Sequence, residues 1–294
     1  MTPALLATTW TTAGDAAPYP GRHVSPIPLP RRIEAAARAG FTAFGLLDYD
    51  VRQFLETSDL TTLGAMLRDG GMELLELEYL TRWWTTGAER AESDGARAFL
   101  FAVAEALGVH HVKVAPDLDD PAPPDIAFWA ESFHDLAADA EEHGTRVALE
   151  FLPMANIATL ELARDVVAAA GHPAGGLLVD IWHLERSGAQ PDDVRRLPAQ
   201  LLLAVELDDG PATPTGDPYD DTCHRRMLPG RGDFRVAEFA AALMDVGFAG
   251  PWGVEIISED YRHRPLDKAL HDVVATTQGV LAQAKEMRSN GTRT

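Results

Sequence analysis

The segments RVALEFLP (146–153), GLLVDIW (176–182), LLLAVELDD (201–209) and PWGVEIIS (251–258) each place a carboxylate inside a short apolar run. Continuous apolar runs of this length are typical of parallel strands that are buried on both faces. A buried, unpaired charge costs several kcal/mol, so a partner must compensate each carboxylate. A bound divalent cation is the simplest shared partner. The carboxylates concerned are Glu150, Asp180, Glu206 and Glu255.

Strand-like and helix-like segments alternate eight times along the chain, without a linker that would divide it. The predicted strands are 4–10, 43–48, 72–80, 110–116, 146–153, 176–182, 201–208 and 252–258. The predicted helices begin near Leu29, Asp59, Ala88, Pro124, Ala158, Pro191, Arg235 and Leu266. Eight such units are what an α/β fold of the (β/α)8 TIM-barrel type requires, so we expect one domain over residues 1–294. A doubly wound open sheet is the alternative, but LLATTWTTAGD (5–15) lacks its usual glycine-rich phosphate turn.

Composition limits the class of protein. A formal net charge of −20 disfavours a nucleic-acid surface, which needs clustered Lys and Arg. No run approaches the roughly 18 apolar residues of a membrane span, and the first twenty residues do not resemble a signal peptide. The single Cys223 fits a reducing cytoplasm. We therefore expect a cytoplasmic protein with a small-molecule partner, no nucleic acid and no membrane; a homo-oligomer stays open.

The four carboxylates lie near the C-terminal ends of their predicted strands, which is the end where barrel active sites form. Taken singly, each is as readily explained as a solvent-facing residue, but four together point to one inward cluster. Hard oxygen ligands favour Mn²⁺ or Mg²⁺, with Zn²⁺ and Co²⁺ as alternatives. Lys113 interrupts VKV (112–114) in the same way, so it is expected either to neutralise a carboxylate or to contact a substrate oxygen.

Four further side chains are candidates for substrate binding. His183 follows Asp180 by three residues and is expected over the barrel mouth, although a D-x-x-H spacing also occurs in surface loops. The longest predicted loop, 209–234, carries His224 and Arg226; Arg226 is expected to bind a substrate group, with a salt bridge inside the loop as the alternative. Trp182 follows a strand and suits a sugar-binding wall, or core packing.

These segments together resemble the xylose-isomerase-like TIM barrels, a family of sugar phosphate isomerases and epimerases, inosose dehydratases and endonuclease-IV-type enzymes. The likeness runs from PRRIEAAARAGFTAFGL (30–46) to HRRMLPGRGDF (224–234) and WGVEI (252–256). The resemblance implies a metal site at Glu150, Asp180, Glu206 and Glu255. It also implies that His183 and Arg226 lie near the substrate. Glu206 departs from the pattern, because histidine is usual there, and the additional histidines of the endonuclease branch have no counterparts.

The resemblance implies a divalent-metal-dependent isomerase or epimerase that removes a proton next to a carbonyl of a sugar, a sugar-like polyol or a keto acid. The expected catalytic residues are Glu150, Glu255 and His183. The expected substrate-binding residues are His183, His224, Arg226, Lys113 and Trp182. One alternative is a dehydratase or lyase of the inosose or 3-dehydroshikimate type, or one that eliminates from a 3-keto sugar C-glycoside. Another is a non-catalytic ligand-binding barrel with a structural metal.

Overall fold

Eight parallel strands form a closed barrel in the computed structural model, which describes residues 3–19, 21–120 and 122–291. The strands are β1 (Leu5–Ala7), β2 (Ala43–Leu47), β3 (Leu74–Leu80), β4 (His111–Val114), β5 (Val147–Glu150), β6 (Gly175–Asp180), β7 (Leu202–Leu207) and β8 (Trp252–Val254). Each strand pairs with the next along the chain, and β8 pairs with β1. The predicted (β/α)8 TIM barrel is confirmed. Parts of the predicted domain 1–294 lie outside the described residues: 1–2, 20, 121 and 292–294.

Helices follow the strands around the outside of the barrel. They are α1 (Thr9–Thr12), α2 (Leu29–Ala39), α3 (Asp48–Leu55), α4 (Leu60–Asp69), α5 (Gly87–Leu107), α6 (Ile126–Glu142), α7 (Leu160–Ala170), α8 (Ile181–Ser187), α9 (Pro191–Arg195), α10 (Pro218–His224), α11 (Val236–Val246), α12 (Glu259–Arg262) and α13 (Leu266–Gly291). All eight predicted helices are present and begin within two residues of their predicted starts. Among the described helices, none is both long and apolar enough to cross a membrane.

Two sequence expectations need correction. Several predicted strands are too long at their C-terminal ends: β1 ends at Ala7 and β8 at Val254, because the chain turns out of the sheet at the barrel rim although its residues stay buried. The predicted loop 209–234 contains the short helix α10. Asp217 caps that helix by accepting hydrogen bonds from the backbone N–H groups of Tyr219 and Asp220, and Pro218 occupies its first turn.

The strand register brings charged side chains to one height inside the barrel. Asp180 of β6 is aligned with Glu206 of β7, and Lys113 of β4 contacts Glu206 from across the barrel. All three side chains are buried. The opposite faces of these strands contribute residues such as Val112 and Val179 to the main core. Successive side chains therefore alternate between a charged interior and an apolar layer against the helices.

Gly45 in β2 is required by the close approach of the turn that joins β1 to α1. A Cβ atom at this position would lie 2.9 Å from both the Cα of Thr8 and the backbone nitrogen of Thr9. Because both are backbone atoms, they cannot rotate away. We expect Gly45→Ala to lower the free energy of unfolding by about 1–3 kcal/mol, as overpacking does. Urea denaturation measures this.

Gly279 is the matched control, because a Cβ there meets no atom within 4 Å and the residue lies within helix α13. Gly279→Ala is expected to leave stability unchanged, or to raise it by up to about 1 kcal/mol through helix propensity. Equal effects of the two substitutions would contradict this account of strand packing.

Candidate active site

The four predicted carboxylates converge at the C-terminal end of the barrel. Glu150, Asp180 and Glu206 lie on β5, β6 and β7, and Glu255 directly follows β8. One oxygen from each carboxylate lies within 4.8 Å of the others. Their side chains are buried, except that Glu150 keeps 14% of its side chain exposed. The arrangement is a compact oxygen cluster that opens to solvent chiefly at Glu150.

Lys113 supplies one of the two cations inside this cluster. Its Nζ lies 2.8 Å from Oε1 of Glu206 and 2.9 Å from Oε1 of Glu255. Oε2 of Glu78 lies 3.6 Å from the same nitrogen. The surrounding carboxylates outweigh burial and hold the pKa of Lys113 well above its usual range. Lys113 is therefore a permanent positive charge that joins strands from opposite sides of the barrel.

Arg226 supplies the second cation. Its Nη1 lies 2.6 Å from Oδ2 of Asp180, 2.6 Å from Oδ2 of Asp208 and 3.1 Å from Oε2 of Glu255. Its Nε and Nη2 atoms donate to the backbone oxygen and hydroxyl of Thr222. Every guanidinium nitrogen thus has a partner within the protein. The salt bridges tie the 209–234 segment to the cluster rather than to acidic residues of its own loop.

His183 reaches the cluster because Asp180 starts helix α8. Oδ1 of Asp180 accepts a hydrogen bond from the backbone N–H of Trp182 at 2.8 Å, which fixes the first turn of the helix. Nε2 of His183 then lies 3.4 Å from Oε1 of Glu150 and 3.5 Å from Oδ2 of Asp180. The short D-x-x-H spacing therefore brings an imidazole beside two of the predicted metal ligands.

Two predicted substrate contacts lie elsewhere. Trp182 is buried against Phe234, with the Arg186 guanidinium 4.5 Å from the ring centroid, so it packs behind the cluster and does not line the cavity at the mouth. His224 stacks on Tyr19 and also lies outside the lining of that cavity. Core packing determines the position of Trp182, and the turn of α10 determines that of His224. Neither position can be predicted from the order of residues in the sequence. Direct substrate binding by these two residues is therefore not supported by the geometry.

Sequence reasoning did not assign three further buried carboxylates, Asp208, Glu78 and Glu76. Asp208 lies two residues after Glu206 and shares its face, which is the signal that predicts its inward direction. Glu78 and Glu76 of β3 both point into the barrel. Glu76 lies deeper and accepts a hydrogen bond from Nε2 of His111 at 2.8 Å, so this pair lies below the cluster as part of the barrel interior.

Burial separates the pKa values of the carboxyl groups. Burial, together with the charge of Glu255, raises the pKa of Glu206 well above its usual range, and burial does the same for Glu78. Burial also raises the pKa of Glu255. At Glu150, burial is outweighed by Lys113 and the His183 hydrogen bond, which lower its pKa to about 2. The cluster therefore places an ionised carboxylate beside carboxyl groups that tend to be protonated.

The residues present fit a divalent cation. Buried oxygens of Glu206 and Asp208, Oε2 and Oδ1 respectively, have no hydrogen-bond partner. Buried polar atoms are normally satisfied, so these oxygens call for a ligand, a proton or water. Carboxylates also outnumber the two cations in the cluster. The six carboxylates are Glu78, Glu150, Asp180, Glu206, Asp208 and Glu255.

The raised pKa of Glu78 predicts a pH dependence in protein stripped of metal. Folded protein holds this proton above the usual carboxyl pKa of about 4.3, whereas the unfolded chain releases it. Unfolding therefore releases a proton, and this contribution to stability is present at low pH and lost as pH rises. We expect Glu78→Gln to reduce the fall in melting temperature between about pH 5 and pH 8.

The exposed Glu73, just before β3, is the control for this measurement. In chelator, Glu73→Gln is expected to leave the pH dependence of the melting temperature as it is in the unsubstituted protein. An unchanged pH slope for Glu78→Gln would show that Glu78 does not hold a proton in the folded state.

A cavity of about 100 Å³ lies above the cluster at the barrel mouth. Its floor includes Glu150, His183 and Glu255, and its walls are mainly apolar. A larger cavity of about 230 Å³ is lined by residues such as Leu6 and Pro251 at the N-terminal ends of the strands. We place the candidate site at the mouth, because the carboxylate cluster lies there.

Curated relatives include enzymes of two reaction classes. The chain is 27% identical over 239 residues to a 3-dehydroshikimate dehydratase of Pseudomonas aeruginosa, which covers 81% of this chain and 37% of the dehydratase. It is 27% identical over 156 residues to an inosose isomerase of Bacillus velezensis, which covers 52% of this chain and 55% of the isomerase. The chain thus spans little more than a third of the dehydratase and about half of the isomerase.

A solved structure supports the fold. The crystal structure of the IOLI protein, which contains a zinc atom, superposes with a TM-score of 0.78 at 18% identity and covers 95% of this chain and 99% of that one. The family model described as Xylose isomerase-like TIM barrel matches residues 33–278. This match includes all four carboxylates of the cluster. The chain belongs to the xylose isomerase-like TIM barrel family.

Proposed function

We propose that this protein is a divalent-metal-dependent enzyme that removes a proton next to the carbonyl of a small sugar-like substrate, with isomerisation or epimerisation as the outcome. The observation that carries the proposal is the cluster of Glu150, Asp180, Glu206 and Glu255, whose oxygens lie within 4.8 Å of one another below a cavity. Relatives that act as isomerases support the reaction class.

The metal would be held by these same four carboxylates. When bound, a divalent ion stabilises the negative charge that develops on the substrate oxygens during proton removal. Mn²⁺ and Mg²⁺ suit the all-oxygen donor set, and Zn²⁺ and Co²⁺ are alternatives. The zinc atom in the structure of the IOLI protein supports the use of a divalent ion by a barrel of this kind. Lys113 and Arg226 hold the ligand oxygens in place through their salt bridges.

Glu150 and Glu255 would move the protons. Glu150 faces the cavity and is the carboxylate of the four-residue cluster most open to it, so it is placed to accept a proton from the substrate. Glu255 also lines the cavity, so it is placed to return a proton to the substrate. His183 lies 3.4 Å from Glu150 and is placed to bind a substrate hydroxyl. The two glutamates would thus take a proton from substrate carbon and return one.

A dehydratase is the second candidate, because the match to 3-dehydroshikimate dehydratase covers more of this chain than the match to inosose isomerase. Its first step would be the same proton removal by Glu150. The substrate would then lose a β-hydroxyl as water, with His183 as the proton donor. Loss of a C-linked aglycone from a 3-keto sugar would follow the same course. Product mass separates these outcomes from isomerisation.

Other expectations from the sequence accompany this proposal. We propose that the domain extends over residues 1–294, that the protein acts in the cytoplasm, and that it uses neither nucleic acid nor a membrane as a partner. The strongly acidic composition supports the exclusion of nucleic acid. Size-exclusion chromatography with light scattering determines whether it forms a homo-oligomer.

Metal removal tests the proposed function. The purified protein is analysed for bound metal, treated with chelator and then reloaded with Mn²⁺ or Mg²⁺, while turnover, circular dichroism and melting temperature are followed. We expect chelation to reduce turnover by at least about 100-fold and to leave the barrel folded, and we expect metal to restore turnover. Unchanged turnover in metal-free protein would overturn the proposal. Loss of the fold on chelation would instead support the non-catalytic barrel with a structural metal.

A further inference from the structure

The cavity of about 230 Å³ at the N-terminal ends of the strands, called here the lower cavity, is more than twice as large as the cavity at the mouth. TIM-barrel interiors are normally filled by bulky branched side chains. Here Ala204 and Gly253 lie two residues before Glu206 and Glu255, so these small residues occupy the inward positions below the cluster. A Cβ atom at Gly253 would lie 2.5 Å from the backbone oxygen of Val205. The space below the cluster is therefore a consequence of the strand packing.

The walls of the lower cavity are mainly apolar. The apolar lining residues with large side chains are Leu6, Leu74, Leu202, Leu203, Phe248 and Pro251. Leu203 and Phe248 are only half-buried, so they leave apolar surface in contact with solvent inside a concave site. Such surface, beside a few polar groups, is typical of ligand sites. Because the volume lies below the range of about 300–1,000 Å³ that drug-sized ligands use, the ligand has to be small.

Arg146, just before β5, supplies a free positive charge to the lower cavity. It is exposed and is the only Lys or Arg among the described lining residues. Within the described part of the chain, its guanidinium forms neither an ion pair nor a hydrogen bond. Glu73 and Glu141 line an adjoining cavity that also includes Arg146, but neither pairs with it. A guanidinium presents its N–H donors as a planar fork that matches a carboxylate, so Arg146 is available to a ligand of that kind.

The other polar lining residues add no second positive charge. Nδ1 of His110 lies 3.0 Å from Nδ1 of His111, whose Nε2 donates to Oε2 of Glu76. Burial, together with the charges of His111 and Arg146, lowers the pKa of His110 to about 4, so this ring is uncharged at neutral pH. Oε1 of Glu76 is buried without a hydrogen-bond partner in the described residues, which leaves it to water or a ligand hydroxyl. A ligand with two negative charges would therefore find one cation and meet a carboxyl group.

We infer that the lower cavity is a second ligand site, which binds a small organic monocarboxylate. The carboxylate pairs with Arg146, and the apolar body of the ligand packs against Leu203 and Phe248. This site lies at the end of the barrel opposite to the carboxylate cluster, and it does not depend on the proposed reaction. Binding there removes apolar surface from water and gives the free guanidinium a partner, so both features that make the cavity unusual are satisfied by one ligand.

Matched probes test the ligand class. The full chain is stripped of metal with chelator and dialysed, so that no metal at the mouth can hold a carboxylate, and it is titrated with 4-methylpentanoate, 4-methylpentanamide and inorganic phosphate. We expect the carboxylate to bind at least about tenfold more tightly than the other two probes, because hydrogen bonds to a charged partner are the stronger ones. Equal binding of the amide, or tighter binding of phosphate, would overturn the inference. Absence of carboxylate binding would show that the cavity contains only water, which would overturn it as well.

Substitution of Arg146 tests the location. Arg146→Gln is expected to weaken 4-methylpentanoate binding at least about tenfold, and Arg146→Lys, which keeps the charge but loses the fork, is expected to weaken it less. Arg68→Gln on α4 is the matched control, since Arg68 is also exposed and lies outside the cavity lining. Because Arg146 is exposed and unpaired, the melting temperature without ligand is expected to stay unchanged in all three variants. Full binding by Arg146→Gln would place the carboxylate elsewhere, including the mouth, and would contradict the inference whether or not the proposed reaction occurs.

Discussion

Glu150→Gln is expected to reduce the exchange of solvent protons into substrate by about 10²–10⁴-fold, the usual range for loss of a general base. Glutamine preserves the size of the side chain and an oxygen that faces the cluster, but it cannot accept the substrate proton. Glu150 is the residue of the four-carboxylate cluster whose side chain is most open to the cavity. Bound metal, measured by elemental analysis after dialysis, is expected to be retained.

The control for this substitution is Glu161→Gln on helix α7, where the side chain is 77% exposed. It changes the same functional group and is expected to leave exchange unaffected. Two outcomes for Glu150→Gln would contradict the assignment. Exchange at the original rate would show that Glu150 is not the base, and loss of the metal together with exchange would show that its main role is ligation.

Lys113→Met is expected to lower the free energy of unfolding by about 3–5 kcal/mol in the presence of chelator, which is the cost of removing one partner from a buried ion pair. The substitution leaves Glu206 and Glu255 without the ammonium that contacts them at 2.8 and 2.9 Å. Methionine has a similar length and keeps the packing of the apolar part of the side chain. Urea denaturation of the chelated protein gives the value.

Bound metal should reduce the difference in the free energy of unfolding between Lys113→Met and the unsubstituted protein, because a divalent ion supplies positive charge to Glu206 and Glu255. We therefore expect Mn²⁺ or Mg²⁺ to stabilise Lys113→Met more than the unsubstituted protein. Lys268→Met is the control, since Lys268 is 67% exposed and pairs with Asp272 at the surface, where a salt bridge contributes at most about 1 kcal/mol. Full stability of Lys113→Met in chelator would contradict the compensating role of Lys113.

The sequence predicts the barrel well because its strands have a local signature. Short apolar runs alternate with helical segments, and each strand pairs in parallel with the next strand along the chain. The positions of Asp180 and Glu206 follow from the same alternation, since neighbouring parallel strands align them. The ends of the strands were predicted less well. Residues after Ala7 and Val254 remain buried but leave the sheet at the rim, and local composition does not record that change.

The salt-bridge partners of the charged residues were harder to predict than the inward direction of their side chains. Lys113 contacts carboxylates of β7 and β8, and Arg226 leaves its own loop to contact Asp180 of β6. Such pairs depend on barrel closure and side-chain reach, neither of which is visible in local spacing. The same reason explains Trp182, whose ring packs against Phe234 rather than lining the cavity. The lining of the cavity is likewise assembled from residues that are distant in the sequence, such as Trp10 and Ile257.

Deuterium uptake from heavy water tests the central claim most directly, because it detects proton removal without presuming the product. The metal-loaded protein is incubated with ketoses, keto-inositols and 3-dehydroshikimate, and substrate and product are examined by NMR and mass spectrometry. We predict deuterium at the carbon next to the carbonyl of at least one of these substrates. Chelation or Glu150→Gln is expected to abolish it, and Mn²⁺ or Mg²⁺ is expected to restore it after chelation. Absence of deuterium from every substrate, or uptake that persists unchanged without metal, would contradict the account.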